Sequence, residues 1–158
     1  MGKKLFNVLI VSLFTFLCPL STIVAIAAGS MITAAGEAIS DVDVDVYVPG
    51  RVVVGEPFIV EFSVTNTASA VQILDDIDFN PSALDKIELV RATPAYYRTN
   101  RDLFFQTYWD NREIEPGETL DVPWEMIAME PGSHSLRFGV CINSPASCAN
   151  YEAVVVAR

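Results

Sequence analysis

Residues 41–48 read DVDVDVYV: Val42, Val44, Val46 and Val48 alternate with Asp41, Asp43, Asp45 and Tyr47. Successive side chains of a strand point to opposite faces, so a period of two describes a strand with one dry and one wet face. The same period returns after the turn signals Pro49-Gly50 and Gly55-Glu56-Pro57, with Val52 and Val54 between them. There Phe58, Val60, Phe62 and Val64 are expected to face inward and Glu61, Ser63 and Thr65 outward, until residues 66–69 close the strand.

Outward from this pair of strands the pattern continues in shorter pieces. Residues 71–79 (VQILDDIDF) predict a third strand, in which Asp75 falls on the otherwise apolar face; a bulge or an early strand end would account for it. Asn80-Pro81-Ser82 marks a turn or a single helical turn, residues 87–90 a short strand, and residues 103–109 (LFFQTYW) a strand apolar on both faces. Glu115-Pro116-Gly117-Glu118 turns the chain into residues 119–126, whose inward set is Leu120, Val122, Trp124 and Met126. Pro123 cannot donate to a ladder and predicts an edge or a bulge. Glu130-Pro131-Gly132 leads into residues 134–142, with Leu136, Phe138 and Val140 inward, and residues 151–157 finish the chain. Seven or eight short strands between Pro/Gly turns, with hardly a helical stretch, predict an all-β, immunoglobulin-like sandwich over residues 41–158. A domain of that size buries a sufficient core.

The stretch 54–66 (VGEPFIVEFSVTN) resembles the opening of CARDB-type immunoglobulin-like domains of bacterial and archaeal surface proteins, and residues 114–122 (IEPGETLDV) are similar to their later strand. The likeness spans roughly residues 42–157 and implies an adhesion, spacer or assembly module. Turn-and-strand patterns of this kind specify fold well and function poorly. The long segment 91–112 and a cysteine pair near the C-terminus depart from the family pattern.

The N-terminus has a different character. No charged residue occurs from Leu5 to Gly36, and Lys3 and Lys4 precede this run. Residues 5–28 are long enough to cross about 30 Å of hydrocarbon at about 1.5 Å per residue. The basic flank would then stay inside and the acidic remainder outside. The same segment also reads as a cleaved signal peptide, with Ala25-Ile26-Ala27 as the cleavage site. A linker is expected over residues 29–40. Either reading exports the rest of the chain, where eight basic residues face all twenty acidic ones. That balance argues against a nucleic-acid surface and against docking on anionic lipid.

In an exported chain Cys141 and Cys148, seven positions apart, are expected to form a disulfide across the mouth of the final hairpin. Closing a loop of eight residues stabilises by roughly 2.5 kcal/mol. His134 is the chain's one histidine, so zinc lacks ligands, and it is expected as an exposed turn residue. Neither a G-x-S-x-G elbow nor a P-loop nor H-E-x-x-H occurs, which points to a non-enzymatic protein without a cofactor. Asp75, Asp76 and Asp78, like Asp41, Asp43 and Asp45, read as solvated acidic faces. Residues two apart on a strand lie nearly 7 Å apart, too far to share one calcium without loop ligands.

The segment 91–112 is the candidate contact surface, through Tyr96, Tyr97, Arg98, Arg101, Phe104, Tyr108, Trp109 and Arg112. Tyr, Trp and Arg dominate interface hot spots. Alternation lets one side of residues 103–109 face the core, so either Phe104 and Tyr108 or Phe105 and Trp109 look outward; the bland alternative makes the whole segment core cover. These readings converge on a membrane-anchored, extracytoplasmic module acting in protein–protein contact, its partner another membrane or envelope protein. A secreted carbohydrate-binding module and a pilin-like subunit are the alternatives. Lys4 stands where a pilin precursor carries a small residue before its apolar run.

Overall fold

The alternation is realised in two stacked sheets. The structure, a computed structural model, describes residues 30–32, 39–101 and 106–158. These form β1 (Ser30–Ile32), β2 (Val42–Val48), β3 (Arg51–Val52), β4 (Pro57–Asn66), β5 (Gln72–Phe79), β6 (Ile87–Ala92), β7 (Arg98–Arg101), β8 (Gln106–Ile114), β9 (Thr119–Ala128), β10 (Gly132–Ile142) and β11 (Cys148–Ala157), with a single helical turn α1 (Pro81–Leu84). The first sheet runs β1-β2-β4-β9-β6 and the second β3-β11-β10-β5-β8-β7. The short β11–β3 pairing is parallel. The expected all-β sandwich is therefore present, with most of the expected strands running longer than the pattern suggested and the short β1, β3 and β7 added to them. The expected membrane or signal segment, residues 1–28, lies outside the described residues. Among the described residues no helix is long and apolar enough to cross a membrane. Within the stretch expected as linker, Ser30–Ile32 pair with Val46–Val48.

The core lies between the sheets and is centred on Trp124. Its ring packs edge-on against Phe62, Phe79, Phe138 and Tyr108 at centroid separations of 5.1, 6.4, 6.2 and 4.8 Å. These rings come from β4, β5, β10 and β8, so one residue of the first sheet gathers three strands of the second. Edge-to-face pairs contribute about 0.5–1.5 kcal/mol each beyond the area they bury. The inward residues of β4, Phe58, Val60, Phe62 and Val64, are all buried as the alternation requires. Asn66 closes β4 from within: its Nδ2 donates to the carbonyls of Ala70 and Ile114, both at 2.8 Å, and its Oδ1 accepts the Ala68 amide. In the neighbouring Pro116-Gly117 turn the Glu118 amide reaches the Glu115 carbonyl at 2.9 Å. Gly117 has φ 79° there, the left-handed region that a turn with proline before glycine needs.

Three expectations are corrected. Pro123 is not on an edge, because β9 has β4 on one side and β6 on the other. β6 ends at Ala92, opposite Trp124, so its ladder has run out where a donor at position 123 would be needed. The Pro123 carbonyl still accepts the Thr93 amide at 3.0 Å. His134 is buried, with Nε2 3.0 Å from the Glu130 carbonyl oxygen, because it shares the inward parity of Leu136 and Phe138. The strand expected over 103–109 is described from Gln106 and runs on to Ile114.

The disulfide is formed, with Cys141 and Cys148 directly opposite each other on β10 and β11. Reduction should lower the unfolding free energy by about 2–3 kcal/mol. Phe138→Ala should lower it by about 3–5 kcal/mol, while Ile59→Ala on the exposed face should stay within about 0.5 kcal/mol. Urea unfolding checks all three, and equal losses for Phe138→Ala and Ile59→Ala would contradict the packing described.

Candidate functional site

The outer face of the second sheet brings the sequence's two unusual features into register. Cys148, Cys141, Asp76, Trp109 and Arg98 form one row across β11, β10, β5, β8 and β7. Asn150, Gly139, Asp78, Thr107 and Asn100 form the next. Gly139 leaves room for this second row, since a Cβ there would lie 3.3 Å from the Asp78 Cβ.

The candidate contact residues take different roles. Tyr108 turns inward onto Trp124, and Tyr96 packs edge-on against Tyr108 at 4.9 Å, so these two are core and core cover. Trp109 consequently takes the outer side. The Arg98 guanidinium lies over its ring at 4.5 Å and also approaches the Tyr97 ring, at 5.7 Å. Tyr97 is 59% exposed, and every residue of β7 is exposed. Arg112 is a brace: its Nε donates to Asp110 Oδ1 at 2.6 Å and its guanidinium to the Ala95 carbonyl at 3.2 Å, holding the loop before β7. Arg101 stands 4.0 Å from Asp85. Phe104 and Phe105 lie outside the described residues.

No family model and no curated protein matches the chain. Among solved structures it is similar to a FixG-related protein from Vibrio parahaemolyticus, at 16% identity and a TM-score of 0.40, over 65% of this chain and 79% of that one. It is also similar to a cohesin module from a Clostridium perfringens family 33 glycoside hydrolase, at 12% identity and a TM-score of 0.46, over 80% of this chain and 98% of that one. Likenesses this distant carry no function, which has to be read from the chain's own residues.

Beside Trp109 lies a feature that the acidic-face expectation misses. The β5 ladder shifts between Leu74 and Asp76: Asp75 is the extra residue against Cys141 and Ile142 of β10, whereas on the other side Asp110 and Asn111 of β8 stand against Asp75 alone. A bulge of this kind breaks the strict alternation. It lets Leu74 and Ile77 both face the core, and it takes Asp75 off the apolar face. Asp76 is not solvated: it is 1% exposed, and neither of its carboxylate oxygens has a donor, nor has Asp75 Oδ2. Burial pushes the Asp76 carboxyl up to about 7, helped by the charges of Asp78 and Asp75 and by a side-chain hydrogen bond with Asp75. Burial also raises Asp110, with the Arg112 guanidinium pulling it back. As for metal ligands, among the described residues Asp78, Cys141 and Cys148 have ligand-type atoms within 4.8 Å of one another, but both sulfurs are already bonded in the disulfide.

A carboxyl whose folded-state pKa is raised favours folding in its neutral form. The raised value therefore does not weaken the fold below the unfolded pKa of 3.8; the weakening grows as pH rises and is complete above about 7. Between those two values the effect is of the order of 2–4 kcal/mol. Asp76→Asn should accordingly stabilise the protein at pH 8 and change little near pH 4, measured by thermal or urea unfolding. Equal effects at both pH values would contradict the burial of an ionisable carboxyl here.

Proposed function

We propose that the chain is an extracytoplasmic binding module, immunoglobulin-like and of the CARDB-like kind, held at the membrane by its N-terminal apolar segment. It works without catalysis by contacting another envelope protein at the β7 edge. The observation that carries this reading is the Tyr97–Arg98–Trp109 stack on an edge strand whose residues are all exposed. An edge strand presents a row of backbone donors and acceptors ready to pair with another chain. A guanidinium already stacked on aromatic rings is pre-ordered, so less freedom is lost when it meets a carboxylate. Arg98 and Arg101 also put positive charge on this edge in a chain that is otherwise acidic, which favours a partner strand carrying Asp or Glu. The disulfide supports an oxidising compartment. Arg98 already lies over the Trp109 ring, which leaves less of that ring for stacking on a sugar.

The test uses the full chain in its native membranes. Tyr97→Ala with Arg98→Glu should abolish co-purification of the partner while leaving the melting temperature nearly unchanged. Glu61→Lys, on the exposed face of the other sheet, should leave the partner bound. Retention of the partner by the double variant would overturn the β7 reading.

A further inference from the structure

We propose that Asp76 holds a proton at the β5 bulge, and that its loss resets the Trp109–Arg98 stack and makes the β7 face sensitive to pH. The protonation stands on the fold alone, while its consequence for binding rests on the contact reading above. Both Asp76 oxygens are buried without a donor, and Asp75 Oδ2 beside them is buried without one as well. A buried carboxyl with no donor is costly to ionise and favours its protonated form. The acidic Asp75 and Asp78 on the same strand drive Asp76 further to that state.

The groups facing Asp76 decide how the site responds when the proton leaves. On its own strand Asp78 is acidic and accepts the Thr107 hydroxyl at 2.6 Å. From β10 and β11 comes the uncharged Cys141–Cys148 bridge. From β8 come Trp109, directly opposite Asp76, and Asp110, neutralised by Arg112. On β7, across Trp109, is Arg98. A newly ionised Asp76 would therefore lie across the ladder from Trp109, whose indole Nε1–H is itself buried without an acceptor, and one strand further from a guanidinium resting on that indole. Both neighbours gain by turning toward the carboxylate. Turning the ring dismantles the stack with Tyr97, which links the bulge to the exposed edge. Tyr108 does not take part near neutrality, because burial pushes its phenol up to about 12. The surroundings of an exported domain have variable pH, so the bulge places a sensor beside the proposed contact.

The Trp109 indole N–H resonance of the full-length chain in detergent micelles, assigned by its loss in Trp109→Phe, tests this. Followed from about pH 5 to about pH 9, it should show one inflection near pH 7 that disappears in Asp76→Asn. Asp75→Asn, which removes a neighbouring negative charge, should move the inflection to lower pH. The core Trp124 indole should stay still in all three proteins. A flat Trp109 titration, or an inflection that survives Asp76→Asn unchanged, would overturn the inference. Either result is independent of the contact reading, which fails only when the Tyr97 and Arg98 double variant keeps its partner.

Discussion

Packing of the two sheets through Trp124 is the constraint on which the rest of the structure depends. Its ring meets Phe62 from its own sheet and Phe79, Phe138 and Tyr108 from the other. A sheet's side chains alternate, so fixing one inward residue fixes its neighbours outward, and a slip by one residue would reverse them all. Once Tyr108 is drawn onto Trp124, Trp109 has to lie on the outer face, and Arg98 opposite it finds a ring to rest on. The proposed contact face is thus a consequence of the core.

Much of the fold is legible in the sequence because the signals are local and periodic. Val42–Val48 and Pro57–Asn66 alternate cleanly, and the Pro-Gly pairs mark the turns between strands. The bulge is half legible, since an acid on an apolar parity leaves a bulge or an early strand end, and the structure takes the first. Errors arise where a local rule meets a non-local fact. Pro123 reads as an edge or a bulge residue; it is not on an edge, and it is tolerated inside the sheet because β6 ends beside it. The Pro-Gly neighbourhood of His134 suggests an exposed turn, although its parity with Leu136 and Phe138 already points inward. β7 (RTNR) has no apolar alternation to reveal it, and it forms because β8 offers its edge.

The candidate site is legible in its membership more than in its arrangement. Composition singles out the aromatic and arginine residues of 91–112, and a period of two narrows residues 103–109 to two choices without deciding between them. Trp124, a residue distant in sequence, makes that decision. The burial of Asp76 cannot be seen from the chain alone: Trp109 and the disulfide flank it only because β5 lies between β8 and β10. Here the acidic run that suggests a solvated face is instead where charge is hardest to keep.

The central claim is that the outer face at β7, and not the acidic face of the other sheet, meets the partner. Site-specific photo-cross-linking in living cells of the native host tests it most directly, with the photoreactive residue placed at position 97 or at position 61. Tyr97 is among the most exposed large side chains, and Glu61 lies on the solvent side of β4. The account predicts one discrete adduct from position 97 and none from position 61. Adducts from position 61 alone, or equally from both, would contradict it.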